Sequence, residues 1–352
     1  MNLLEVMHEL VEEKGLNREV LAQIVQEGIL GAYEKKYPDL RLHINLDEKT
    51  GELIPFVEKT VSSPVVDLDT QISVQKARSL GVSTTPGTTV LVPFDGKIGR
   101  VEIIRARQVI AGKIRQIEAK AVYDEFKDKQ GEVVVGVVHK CEKAGVVVKI
   151  DDVLGFMPKS LSIPGEKYSP GFSVRALLKE VLLEPRGDNQ LILDRISADF
   201  LHKLLELEIP EVFEGIVEIK EIVRSPGYRS KVVVSSRDRN IDPVGTCVGV
   251  GGSRIKPVLR ELGSEKIDII ESGDSLVEYV KNALKPAKIS RVLLSADDTN
   301  AQVWLDEDQR SLAIGRGGQN IMLASRLTGV QIQLVKTAED TPFQESSEDI
   351  ED

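Results

Sequence analysis

Apolar residues recur at helical spacing from about Asn2 to Lys14. They do so again through Leu21, Ile24, Val25, Ile29 and Tyr33, with a break at Gly15, an N-cap at Asn17 and a stop at Pro38. Strict alternation then takes over from Leu40 to Leu46 and from Leu53 to Val61. Thr50-Gly51 lies between these runs, which predicts a hairpin. A short helix around Val74–Leu80 and a strand at Thr88–Val92 follow. Next comes a long helix from Gly99 to Lys127 with Ile103, Ile110, Ile114, Ile117 and Ala121 on one face. Residues 1–127 thus read as a mixed α/β domain.

After Gln130-Gly131 the texture changes. Glycine-punctuated strands are predicted at Glu132–His139, Gly145–Ile150, Leu154–Met157, Val174–Val181 and Leu191–Asp194. Five strands with no helix between them, over residues 131–196, predict a small Greek-key barrel of the OB type. From Arg195 onward the order helix, strand, strand, helix, helix, strand runs once over residues 197–277 and again over 278–338. The fold class is therefore multi-domain α+β.

The second pass is a true internal repeat. Asp242–Ile255 aligns without gaps to Asp308–Ile321, sixty-six residues on. Each copy is preceded by two strands (Ile216–Val223 and Lys231–Ser235; Ile289–Ser295 and Ala301–Leu305) and followed by one (Lys266–Ile270; Gln331–Val335). Both place Gly-x-x-Gly between two short helices: Gly249-Val250-Gly251-Gly252 and Gly315-Arg316-Gly317-Gly318. Glycine lets a phosphate approach the main chain with no Cβ in the way, and the amides opening the next helix supply donors. The spacing lacks the Lys-Ser/Thr of a P-loop and does not fit G-x-G-x-x-G after a strand.

Composition adds boundaries. With 41% hydrophobic and 29% charged residues the chain is of globular type, and no run approaches a membrane span, so a cytoplasmic protein without a membrane partner is expected. Cys141, Cys247 and the four histidines are dispersed, which argues against a zinc site or disulfide framework and leaves each cysteine as a small buried thiol. No Ser/His/Asp set, metal cage or carboxylate pair stands out; Asp151-Asp152 and Asp297-Asp298 read as hairpin-turn acids. Neither enzyme activity, a metal nor a cofactor is expected.

The net charge of −10 hides a local pattern. Residues 339–352 hold seven acids and no base, reading as an acidic disordered tail, so the body carries only −3. Within it, residues 224–260 carry eight bases against Asp238 and Asp242, a local +6 that points to a polyanion. Arg254 and Lys256 fall in the first turn after Gly252, where a cation is disfavoured unless an anion binds there.

The repeated Gly-x-x-Gly units resemble KH modules, which clamp single-stranded RNA. The order α/β domain, barrel, two KH modules resembles the NusA family of bacterial transcription elongation, termination and antitermination factors. The strings Glu208-Ile209-Pro210-Glu211-Val212, Pro226-Gly227-Tyr228-Arg229-Ser230-Lys231, Asp242-Pro243-Val244-Gly245 and Ala313-Ile314-Gly315-Arg316-Gly317-Gly318-Gln319-Asn320 carry that resemblance. Gly155-Phe156-Met157-Pro158 likewise makes the barrel similar to the S-one type.

The resemblance implies a monomeric accessory factor whose partners are core RNA polymerase, nascent single-stranded RNA and other elongation or antitermination factors. It implies RNA contact at Gly249, Val250, Gly251, Gly252, Ser253, Arg254 and Lys256 in the first module, and at Gly315, Arg316, Gly317, Gly318, Gln319 and Asn320 in the second. Arg229 and Lys231 would extend the basic path, and Phe156, Tyr168 and Phe172 would stack bases. One face of the long helix (Arg105, Arg107, Lys113, Arg115, Lys120) would meet polymerase or nascent RNA, unless it is an ordinary solvated face. Three departures stand out: Val250-Gly251 where the family usually offers a base, Leu193-Asp194-Arg195 and Phe172 in the barrel, and the absence of the acidic C-terminal repeats of some members. The sequence leaves two rivals open. One is a phosphorolytic exoribonuclease, whose order of modules differs. The other is a free-standing tandem-KH protein of ribosome assembly.

Overall fold

The computed structural model describes residues 17–47, 52–187, 189–238, 240–273 and 275–336. The expected helix at Asn2–Lys14, the Thr50-Gly51 turn, Arg239 and the acidic tail lie outside the described residues. Two compact units divide the chain, residues 1–124 and 125–352.

In the first unit, α1 (Arg18–Lys36) opens on Asn17, whose side chain accepts from the Glu19 amide, and ends one residue before Tyr37-Pro38, where proline disfavours helix. Strand β1 (Leu42–Leu46) pairs antiparallel with β2 (Leu53–Ser62) as expected, and β4 (Thr89–Pro93) also lies antiparallel to β2. A three-residue strand, β3 (Gln71–Ser73), runs parallel to β2 and leads into α2 (Val74–Ser79); it is too short to show a period in sequence. Leu42, Val57, Val61, Ile72, Ala77, Val90 and Val92 form the core of this sheet.

The long helix α3 (Arg100–Phe126) meets α1 at Gly28, where an added Cβ would fall 2.4 Å from Ile110 Cγ1. Leu21 of α1 packs with Ile114 and Ile117. The apolar stripe is shorter than the sequence pattern: Ile103 is 44% exposed and Ala121 is exposed, while Ala106 is buried.

The second unit begins with the closed barrel β5-β6-β7-β9-β8: β5 (Val133–Cys141), β6 (Gly145–Ile150), β7 (Val153–Pro158), β8 (Ser173–Arg186) and β9 (Asn189–Asp194). All its ladders are antiparallel except β7 with β9, the closure expected of an OB barrel. Asp151 takes a positive φ in the β6–β7 turn, as its reading required. Cys141 is exposed, against expectation, because it is the last residue of β5; Cys247 is buried.

Two modules of like order follow, the first with an extra short helix before its strands. The first comprises α4 (Ala198–Glu208), α5 (Pro210–Phe213), β10 (Val217–Ser225), β11 (Arg229–Ser236), α6 (Pro243–Val248), α7 (Ile255–Leu262) and β12 (Lys266–Glu271). The second comprises α8 (Leu276–Ala283), β13 (Arg291–Leu294), β14 (Asn300–Leu305), α9 (Glu307–Ile314), α10 (Gln319–Thr328) and β15 (Gln331–Lys336). In each, the middle strand pairs antiparallel with the first and parallel with the last.

Successive residues of β11 face opposite ways, and both faces are buried. Val232 and Val234 join the core of the first module, with Phe200, Leu204 and Val258. Val233 joins the core of the second, with Val280, Leu284 and Ala324. The first sheet is thus shared, and the tandem is one packed body. The barrel is tied to it by Arg195, 1% exposed, which donates to Glu166 Oε1 (2.7 Å), Glu261 Oε1 (2.6 Å) and the Arg175 carbonyl. Burial works against the Arg195 charge, and the two carboxylates more than offset it. No helix among the described residues is long and apolar enough to cross a membrane.

Candidate nucleic-acid interface

The two glycine loops have nearly the same backbone. After α6, Gly249 adopts φ 75°, ψ 167°, and after α9, Gly315 adopts φ 74°, ψ 173°. A tight turn follows in each, with Gly251 at φ 59° and Gly317 at φ 62°, before α7 and α10 begin. The outer glycine and the inner pair do different work. A Cβ on Gly315 would fall 2.8 Å from Asn320 Cβ, and one on Gly249 2.8 Å from Ser253 Oγ, so these positions let the next helix close in. Around Gly251, Gly317 and Gly318 nothing lies within 4 Å, leaving the main chain open to a ligand. Among the described residues, the amides of Val250, Gly251, Arg316 and Gly317 donate to no backbone acceptor, and they lie in the turns that lead into α7 and α10.

A second equivalence links the copies. Arg254 Nη1 donates to the Thr246 carbonyl (2.9 Å), and Asn320 Nδ2 donates to the Leu312 carbonyl (3.0 Å), the same position in the repeat. Different side chains therefore brace the same helix pair. Arg254 also pairs with Glu211 (2.8 Å), so its charge is met by a carboxylate and not left waiting for an anion. Asn320 is fully buried and donates as well to the carbonyls of Ala313 and Leu284. It is removed from the RNA-facing set.

The basic stripe shrinks for the same reason. Lys231 is fully buried, its Nζ donating to Asp268 Oδ2 (3.0 Å) and to the Lys285 carbonyl (3.2 Å); burial pushes its ammonium below the usual lysine range, with Asp268 opposing. Arg229 shares Asp268 at 2.9 Å. Arg224 makes a buried two-point pair with Glu265 (2.7 and 2.9 Å), and Arg237 pairs with Glu218. Among the described bases of 224–260, Lys256 and Arg260 remain exposed without an ion pair. At the loop tips, Val250 is 96% exposed opposite the exposed Arg316 of the second copy. Ser253 is exposed and Gln319 half-buried beside them.

The NusA N-terminal domain model matches residues 2–120, the NusA-like first KH domain model residues 195–272, and the NusA-like second KH domain model residues 276–342. The transcription termination/antitermination protein NusA of Thermus thermophilus is 36% identical over 341 residues, covering 93% of this chain and 88% of that protein. This chain belongs to the NusA family. The NusA protein of Bacillus subtilis is 31% identical over 94% of this chain and 90% of its own length. That of Rickettsia conorii is 34% identical over 95% of this chain and 67% of its own.

Outside the KH modules of this NusA-family chain, the aromatic trio separates. Tyr168 and Phe172 line one shallow cavity of about 170 Å³ with Glu166, Arg195 and Glu261, at the junction of the barrel and the first KH module. Phe172 is 67% exposed. The Tyr168 hydroxyl donates to Glu166 Oε2 (2.5 Å), and burial together with that carboxylate pushes the phenol up. Phe156 is half-buried on β7, its ring closing over Gly145 of β6.

The basic face expected of α3 does not form. At 3.6 residues per turn, Arg107 points away from Arg105, Lys113 and Lys120, and Arg115 points away from the two lysines. Arg105 borders the groove with α1, and Lys113 is paired with Glu27 of α1. Glu211, Glu265 and Asp268, which hold the KH cations, do not stand out in sequence. A weak signal exists in Asp268, which lies on the strand that the repeat places beside Lys231.

Proposed function

We propose that this chain is an RNA-binding transcription termination and antitermination factor that acts on RNA polymerase through nascent single-stranded RNA. The observation that carries the reading is the pair of Gly-x-x-Gly loops with nearly the same backbone angles, with open space at Gly251, Gly317 and Gly318, each leading into the second helix of its module, in a chain of the NusA family. Each loop takes a few nucleotides of backbone, with bases splayed against the module beside it.

We take the functional modules as residues 1–127 for polymerase, 131–196 for the barrel, and 197–275 and 276–338 for the KH pair, the second opening on α8, with 339–352 as an acidic tail. RNA contact is assigned to Gly251, Gly252, Ser253 and Lys256, and to Arg316, Gly317, Gly318 and Gln319, with Phe172 and Tyr168 offering stacking surface. The factor works as a monomer in the cytoplasm, with core polymerase and other elongation factors as partners, and the reading assigns it no catalytic step. The ribosome-assembly alternative is not favoured by the family, since the relatives are named for transcription termination and antitermination.

The test is the full chain carrying Gly317→Asp with Gly318→Asp, two positions with open space around them. Single-stranded RNA binding and dwell time at a hairpin pause with core polymerase are measured beside circular dichroism. Loss of RNA affinity and of pause enhancement with a native spectrum is expected. Unchanged affinity sinks the reading.

A further inference from the structure

Among the described residues, one cluster of cations without an ion pair lies away from the glycine loops, in the second KH module. Past the end of α8 the chain turns through Leu284–Lys288 toward β13. Here Lys281, Lys285 and Lys288, with Asn282, Pro286, Ala287 and Ile289, line an open concavity of about 600 Å³. Among the described residues no carboxylate lines it, and none of the three ammonium groups makes an ion pair. Like charges gathered in one hollow repel one another, and an anion placed there relieves that cost.

The turn that carries them is held from three sides. Lys231 Nζ, from the first module, donates to the Lys285 carbonyl (3.2 Å). Asn320 Nδ2, from α10, donates to the Leu284 carbonyl (3.1 Å), and the Lys288 amide donates to Gln309 Oε1 of α9 (3.1 Å). Leu284 is buried in the shared core. The Asn320 amide also takes the carbonyls of Leu312 and Ala313, the last turn before Gly315, so the lysine turn lies directly behind the second glycine loop.

We propose that Lys281, Lys285 and Lys288 form a phosphodiester-binding site, outside the Gly-x-x-Gly loop, for the RNA strand that the second loop takes. The proposal rests on the RNA-binding reading above. Ammonium groups on flexible stems read charge and not base identity, so the site adds affinity without sequence preference. Lys231 and Asn320, both fully buried, are positioning residues that act through the carbonyls they hold.

The experiment is fluorescence anisotropy of a short mixed-sequence single-stranded RNA with the full chain across a range of NaCl. The triple variant Lys281→Gln, Lys285→Gln, Lys288→Gln is compared with the triple Lys→Arg variant, with Gly317→Asp/Gly318→Asp and with the parent. The glutamine variant is expected to bind about tenfold more weakly at physiological salt, with a log–log salt slope shallower by about 0.7 for each phosphate it no longer neutralises; the arginine variant keeps both. Parental affinity and slope in the glutamine variant, while the loop variant loses RNA, overturn the proposal and leave the RNA reading standing. Parental binding by both variants overturns the assignment of the RNA to the second loop, and the proposal with it. Retained RNA binding without binding to core polymerase gives the hollow to a protein surface, and also overturns it.

Discussion

Replacing Gly315 by alanine tests the division of labour inside a glycine loop. At φ 74°, ψ 173°, Gly315 occupies a region kept almost entirely for glycine, which costs another residue about 1–3 kcal/mol. Its new methyl would meet Asn320 Cβ at 2.8 Å and the Asn320 amide nitrogen at 3.0 Å, backbone and a buried side chain that cannot swing aside. Overpacking of that kind adds about 1–3 kcal/mol. The total is about 4 kcal/mol. At Gly317 the conformation is left-handed, with nothing within 4 Å, so alanine there costs only about 1–2 kcal/mol. Urea unfolding followed by the fluorescence of Trp304, the sole tryptophan, on β14 of the second module, reads the difference where it occurs. With a slope of about 2 kcal/mol/M, Gly315→Ala lowers the midpoint by about 2 M and Gly317→Ala by less than about 1 M. Coincident midpoints for the two variants would refute the assignment of Gly315 to helix closure.

The loop tips differ in charge, so Val250→Arg is expected to raise RNA affinity and steepen its salt slope by about 0.7, and Arg316→Val to do the reverse; equal slopes in all three proteins take the tips out of phosphate contact. Phe172→Ala is expected to weaken RNA binding by about 1–3 kcal/mol with an unchanged melting temperature, whereas Phe156→Ala lowers the melting temperature first, and the opposite pattern would exchange their roles. Burial pushes the Cys247 thiol up to about 11, so between pH 9 and pH 11 the unfolded chain sheds a proton that the folded one keeps. Stability therefore falls by about 2–3 kcal/mol across that window, and Cys247→Ala flattens that part of the profile; an unaltered profile in the variant removes this thiol as the cause.

The module order, the five barrel strands and the repeat at sixty-six residues are legible along the chain, because each depends on neighbours a few positions apart. Period-two and period-3.6 patterns, caps at Asn17 and Asp242, and glycines at Gly249 and Gly315 act locally, and local rules are written in order along the sequence. Strand β3 escapes because three residues carry no period. The apolar stripe of α3 reads too long because Ile103 lies where, among the described residues, little covers it.

Charge is where reading along the chain fails. A count of eight bases over 224–260 knows nothing of Asp268, which the parallel ladder sets opposite Lys231, or of Glu265, which closes on Arg224 from 41 positions away. Asn320 looks like a loop residue in sequence, yet three converging carbonyls enclose it. The sequence alone determined which elements form, in what order, and that two glycine loops open onto helices, since these follow from short-range sterics and hydrogen bonding. Only the tertiary structure decided which cations stay free, because a cation's fate is set by whichever carboxylate or carbonyl folding brings within about 3 Å, and that partner is distant along the chain.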